Sequence, residues 1–215
     1  MIIVFVNRFL LFPAAAAALA GCVSILPDAA DLPPRVTLDV DIPVEMTSRP
    51  IDATLVIADP DAEAVLNTFN VAVKTAPYQF EYLDGSEWTD RVPVLFRTYL
   101  ERRFENVGAL TAVGDRSDLP VGADFELKTD LRAFYLDRTV SPEAARLSFG
   151  ARLVDAQGGT LGTRIIDRTI PIEGRGREGA VEALNRVAID ASDDVISWSL
   201  DLIAEAVGAA PARVQ

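Results

Sequence analysis

An α/β fold of the mixed α+β kind is predicted by three patterns in the sequence: a single domain with a mixed β-sheet, a three-strand antiparallel meander within it, and two long helices packed on it. Residues 125–172 alternate apolar and polar side chains in consecutive runs separated by polar turns, as half-buried antiparallel strands do. Two other segments, 87–106 and 178–207, repeat apolar residues at steps of three and four, the helical period. The chain has 215 residues, 50% of them hydrophobic, enough for one sizeable core and marginal for two.

Taken in order, residues 1–21 carry one charge, Arg8, then an apolar run and small residues, the layout of a secretory signal peptide. Arg8 interrupts the apolar stretch, so the segment falls short of the roughly 20 residues a spanning helix needs. Leu19-Ala20-Gly21-Cys22 resembles the bacterial lipobox. In that resemblance the bond before Cys22 is cut, its thiol receives a diacylglyceryl group, and the new amino terminus receives a fatty acid such as palmitate. Cys22 is the only cysteine, so an exported form has no disulfide framework to assemble. One acyl chain anchors marginally, at roughly 0.8 kcal/mol per buried methylene, whereas two or three make attachment effectively permanent. Val23 stands where lipoprotein sorting rules place a retaining Asp, which by resemblance favours the outer membrane, with the body facing the periplasm.

Residues 22–35, with three prolines, read as an extended tether able to reach about 40 Å from the bilayer. The folded domain is expected over 36–208, and the tail 209–215 is expected to be disordered. Within the domain, 36–40, 54–58 and 69–74 are β-prone runs, and Tyr78 to Tyr82 alternates aromatic with polar residues as a half-buried strand. Ser86 reads as an N-cap for a helix from about Glu87 to Asn106, with Trp88, Val92, Leu95, Phe96, Tyr99, Leu100, Phe104 and Val107 on its apolar side. Gly108 is its stop signal, and 110–113 resumes an extended run. Strand, helix and strand in that order predict a right-handed crossover joining a parallel pair.

The meander follows. Phe125, Leu127, Thr129, Leu131, Ala133 and Tyr135 form one apolar face, and Ala145, Leu147, Phe149, Ala151 and Leu153 another. Asp155-Ala156-Gln157-Gly158-Gly159-Thr160 is a hairpin signal into a third strand ending near Ile172. Its apolar phase switches after Ile165, which predicts a β-bulge there. Val181, Leu184, Ala188, Ala191, Val195, Trp198 and Leu202 define the closing helix. Trp88 and Trp198 are expected in the core, and they are also the candidates for a partner interface.

Charge and composition exclude several functions. The net charge is −12, and removing residues 1–21 makes the chain more acidic still. Such a body releases few counterions from nucleic acid and is repelled by anionic lipid, so a membrane attachment must come from the lipid. Histidine is absent, which excludes a Ser-His-Asp triad and histidine metal sites. A hydrolase built without histidine is the remote enzymatic reading; no enzymatic activity and no cofactor are expected.

Gly174-Arg175-Gly176-Arg177-Glu178-Gly179 matches G-x-G-x-x-G between a predicted strand and a predicted helix. No further strand is predicted to supply the ribose-binding acid, so it reads as a strand-to-helix loop. Asp59, Asp61 and Glu63, and Asp193-Asp194, lack calcium-loop spacing and read as solvated surface. Arg97, Glu101, Arg102, Arg103 and Glu105 likewise read as a solvated helix face.

Tyr82-Leu83-Asp84-Gly85-Ser86-Glu87-Trp88, followed by Thr89-Asp90 and a Pro93 displaced by Arg91-Val92, resembles the ABC-type transport auxiliary lipoprotein family. Asn67 to Lys74 and Ala180-Val181-x-Ala183-Leu184-Asn185 are similar too, and the resemblance covers nearly the whole mature chain. It implies a lipoprotein working beside an ABC permease and ATPase that carry a mammalian-cell-entry (MCE) substrate-binding protein, moving lipids or other hydrophobic molecules across the envelope. An adaptor role suits an anchored, acidic, histidine-free domain, with self-association left open. The rival expectation is a lipoprotein serving envelope assembly rather than transport. The resemblance carries over no catalytic residue.

Overall fold

In a computed structural model of the chain, the described residues are 34–39, 50–117, 119 and 122–209. The signal peptide, Cys22, the tether up to residue 33, the end of the first predicted strand at Val40 and nearly all of the tail lie outside them. From Pro34 onward the chain forms one compact unit. Its strands are β1 (Arg35–Val36), β2 (Ile51–Ile57), β3 (Asp61–Ala62), β4 (Asn70–Ala76), β5 (Gln79–Trp88), β6 (Leu110–Gly114), β7 (Phe125–Asp137), β8 (Ala144–Asp155) and β9 (Thr160–Pro171). Its helices are α1 (Val92–Val107) and α2 (Gly176–Ala209). All nine strands join one mixed sheet, which is open rather than closed into a barrel.

The spine is β7. Along one edge it pairs antiparallel with β8 over its whole length, and β8 pairs antiparallel with β9, which is the predicted meander. Along the other edge three short strands line up parallel to it in succession: β2 beside Phe125 to Leu127, β3 beside Asp130 and Leu131, and β4 beside Tyr135 to Asp137. Outside these, β6 pairs parallel with β2, β5 antiparallel with β4, and β1 parallel with the end of β5. The expected parallel pair across α1 is therefore corrected. Strand β5 runs antiparallel to β4, while β6 joins β2, so α1 links two strands that do not touch. Both have better partners elsewhere.

The strand faces also differ from simple alternation. Register slips between Leu131 and Ala133, so Arg132 is bulged out of the β7–β8 ladder. Before the bulge Leu127 and Leu131 face the helices; after it Phe134 and Leu136 do. Ala133 and Tyr135, expected on the same face as Leu131, point to the other side. In β9 the slip lies at Leu161 rather than at Ile165: Gly150 pairs Ile165 and Phe149 pairs Ile166 without interruption. Ile166 is fully buried and Ile165 is 66% exposed. The hairpin between β8 and β9 forms as expected, with Gly158 at φ 83° and the Asp155 carboxylate accepting from the amides of Gln157 and Gly159.

Both helices cover one face of the sheet. Helix α1 begins later than expected: Ser86 to Trp88 close β5, and the helix starts at Val92 with Pro93 in its first turn. Proline fits there because that turn has no intrahelical partner for its amide. Ser86 is thus a buried strand residue and not an N-cap. Gly108 ends the helix in the left-handed conformation, φ 65°. On α2, Ala183, Leu184, Val187, Ala188, Ala191, Val195 and Ile196 form the buried stripe, turned slightly from the predicted one so that Trp198 and Leu202 lie on its flank. Small residues let α2 approach the sheet closely, while Phe96 of α1 meets Phe149 of β8 edge-on at 5.1 Å.

Between the helices, the Tyr99 hydroxyl lies 3.4 Å from the Ser192 hydroxyl. Burial pushes the Tyr99 phenol above its usual range, partly offset by Ser192 and by the nearby Arg103 charge. A phenol with a raised folded-state pKa stabilises fully below its unfolded value near 10, and that contribution is lost as pH rises through the folded value. Urea midpoints of wild type should therefore fall between neutral pH and about pH 11. The Tyr99→Phe variant, which costs about 1 kcal/mol at neutral pH, should show a shallower decline. Parallel declines in the two proteins would remove Tyr99 from the alkaline transition.

Candidate docking surface

Both helices lie on one face of the sheet; among the described residues no helix packs on the other. Ladder pairing places the side chains of this uncovered face in rows. At the end near the β4–β5 turn, Phe80, Lys74 and Asp137 form one row, and Tyr82, Ala72, Tyr135 and Arg146 the next. Towards the other end come Gly150 and Ile165, then Lys128, Arg152 and Thr163.

The first rows are tied together by aromatic and ionic contacts. Phe80 meets Tyr135 edge-on at 5.3 Å, and the Lys74 ammonium lies 5.9 Å from the Tyr135 ring centre. Arg146 donates to both Asp167 oxygens at 3.1 and 2.8 Å, a bidentate pair that raises its pKa above the ordinary guanidinium value. Burial pushes the Asp137 carboxyl up, but donation from the Thr139 hydroxyl (2.5 Å) and amide (2.9 Å), with Lys74 and Arg146 nearby, outweighs it. The carboxyl is held below its usual range.

Towards the other end the surface sinks into a wide trough of about 1140 Å³. Asp59, Asp61, Arg116, Lys128, Arg132 and Arg152 border it. Arg132, turned out by the β7 bulge, lies over Gly150, where any larger side chain would meet its guanidinium at 3.0 Å, and pairs with Asp130 at 2.9 Å. Arg116 pairs with Glu126, and Lys128 with the same carboxylate at 3.5 Å. Arg97, at the rim, reaches Asp59 (2.9 Å), Glu101 (3.0 Å) and Asp115 (3.3 Å). Basic side chains slightly outnumber acidic ones along this lining, on a chain whose net charge is −12. Opposite charges thus stand side by side along a concave surface.

Several sequence readings change with these positions. Trp88 is 1% exposed and stacks on Phe134, with ring centres 5.3 Å apart and planes 18° apart. A side chain so enclosed cannot meet a partner, so Trp88 leaves the interface candidates and belongs to the core. Trp198 is half-buried on the α2 flank, where it and Leu202 lie over Gly162 of β9. A Cβ at Gly162 would stand 2.8 Å from Leu202 and 3.1 Å from Trp198. Asp193 and Asp194, expected to be solvated, bridge elements instead: Asp193 binds the buried Arg103 of α1 at 2.5 Å, and Asp194 binds Arg164 at 2.7 Å and also Arg168. The glycine-rich loop is a tight junction, since a Cβ on Gly179 would stand 2.6 Å from the Glu173 carbonyl oxygen. Sequence reasoning missed the trough altogether, because its residues come from β2, β3, α1, β7, β8, β9 and two loops and share no local spacing.

Comparison with known proteins gives the same architecture. An uncharacterised protein of Bradyrhizobium diazoefficiens is 26% identical over 168 residues, which cover 77% of this chain and 45% of that protein. The chain thus spans about half the length of that curated relative. A crystal structure of a Xanthomonas campestris protein of the DUF330 family superposes with a TM-score of 0.70 at 18% identity, covering 82% of this chain and 97% of that one. A hypothetical protein of Chlamydia trachomatis superposes with a TM-score of 0.51 at 8% identity, over 72% of this chain and 99% of its own. At such identities the likeness is one of fold. The sequence from residue 37 to residue 195 matches the model of one family, and by that match the chain belongs to the ABC-type transport auxiliary lipoprotein component family.

Proposed function

We propose that this chain is a lipid-anchored accessory protein of an ABC transport system with an MCE-type substrate-binding component. It is held by acyl chains on Cys22 in the outer membrane, faces the periplasm, and serves as an adaptor in the movement of lipids or other hydrophobic molecules. It acts by binding and not by catalysis. Family membership supports association with an ABC transporter. The lipobox resemblance at Cys22 supports the anchor. The observation that carries the adaptor reading is the sheet face left bare by both helices, with a charged trough on a rigid scaffold. Arg152, exposed there, has no ion-pair partner among the described residues.

Site-specific photo-crosslinking from position 152 in intact cells tests this reading, with Cys22→Ser as the second arm. Adducts with an MCE protein or a permease are expected from the lipidated chain. Cys22→Ser should yield an unprocessed or soluble species with no acyl label and at least a tenfold loss of adduct. Adducts confined to envelope-assembly factors would replace the transport reading with the assembly one. A Cys22→Ser protein that still fractionates with the outer membrane would remove lipidation as the anchor.

A further inference from the structure

We infer that the β4–β5 turn is the membrane-facing end of the domain, seating Tyr78, Phe80 and Tyr82, with Val140 beside them, in the headgroup layer of the bilayer that holds the Cys22 acyl chains. This rests on the lipid-anchor reading above.

Exposure is the first observation. Tyr78 is 100% exposed, Tyr82 and Val140 are each 45% exposed, and Phe80 is 39% exposed. They gather at one end of the sheet, because β4 and β7 run parallel there, Lys74 beside Asp137, and each then enters its turn. The Arg138 amide donates to the Lys74 carbonyl at 3.0 Å, which holds the two turns side by side. Tyrosines with Lys and Arg close behind them are the side chains that favour a membrane–water interface, where a ring is half in hydrocarbon and its polar end is wet.

Chain direction is the second. Strand β1 runs parallel to β5, with Arg35 beside Glu87 and Val36 beside Trp88. From Pro34 to Val36 the chain therefore travels in the sense of β5, away from the β4–β5 turn. This entry is pinned: the Thr89 amide donates to the Val36 carbonyl at 2.9 Å, and just beyond, the Asp39 amide donates to Asn185 of α2 at 2.7 Å.

Length is the third. From the row of Glu87 back to Gln79 the strand covers about 27 Å. The twelve residues from Cys22 to Pro33 have a contour length of about 37 Å at the polyproline rise. That contour is longer than β5, so its length alone allows acyl chains on Cys22 and the aromatic turn to reach one bilayer surface. A charge of −12 makes the rest of the body a poor match for anionic lipid, so a zwitterionic surface is the fitting occupant.

Since Cys22 is the only cysteine and lipidation consumes its thiol, one introduced cysteine is a unique labelling position. The full-length mature lipoprotein carrying Tyr78→Cys, labelled with an environment-sensitive fluorophore, would be reconstituted into phosphatidylcholine–phosphatidylethanolamine vesicles. Gln157→Cys, in the β8–β9 turn at the opposite end of the sheet, is the reference. The expected result is a blue-shifted emission at position 78 and at least twofold stronger quenching by doxyl-labelled phosphatidylcholine than at position 157. Equal, water-like emission at both positions in vesicles that float with the protein overturns the inference alone. Shielding of position 78 that appears only when transporter proteins are added overturns it in favour of a protein contact. Loss of flotation together with a bare Cys22 in the intact mass overturns the lipid anchor, and this inference with it.

Discussion

Trp88→Ala should lower the unfolding free energy by about 3 to 5 kcal/mol, read as a shift of the urea midpoint with an unchanged slope. The indole is enclosed at the junction of β5 and α1, stacked on Phe134, with its own amide donating to the Phe69 carbonyl at 2.6 Å. Truncation removes the apolar transfer energy and leaves a cavity that backbone on both sides cannot fill, because β5 is fixed by β4 and α1 follows directly. Trp88→Phe retains a ring for the stack and should lose less than half as much. A Trp88→Ala protein as stable as wild type would mean that the junction repacks freely, and the core assignment of Trp88 would fall.

Asp193→Ala should cost about 2 to 3 kcal/mol, somewhat below a fully buried pair because the Asp193 side chain is 46% exposed. The reason is its partner: the Arg103 guanidinium, 1% exposed, gives up a 2.5 Å carboxylate contact while its charge stays in a site largely shut off from water, so its remaining interactions carry more of the desolvation cost. The reverse change tests that asymmetry. Arg103→Met has a similar volume and leaves only a carboxylate that water can solvate, so its stability should lie within about 1 kcal/mol of wild type. Equal losses from Asp193→Ala and Arg103→Met would show that packing, not the buried charge, governs this contact between the helices.

The helices were readable for a physical reason. The stripe of α2 and the Gly108 stop of α1 depend on a period and a backbone conformation encoded within a few residues; the stop stands where the sequence places it, and the stripe is turned only enough to move Trp198 and Leu202 to its flank. The start of α1 was misplaced because Ser86 and Pro93 are both start signals, and a local reading cannot see that β4 and β1 hold Ser86 to Trp88 in the sheet. The meander and its Asp155–Thr160 hairpin were readable for the same local reason as the helices. Strand neighbours were not: period two says which face a residue takes but not which strand lies beside it. A single bulge at Arg132 then reversed the faces of everything after it in β7.

The charged residues make the same division. In sequence, Arg103, Asp193 and Asp194 look like solvated helix surface, because helical periodicity marks polarity and is silent about what another element brings close. Only the packing of α1 against α2, and of α2 against β9, turns them into bridges, and only the assembly of segments far apart in sequence makes the trough. The sequence by itself determined the fold class and the family, since these rest on composition, local pattern and short motifs. Tertiary structure decided sheet order, the burial of Trp88 and Arg103, and the bare face, because each depends on which distant segments exclude water from one another.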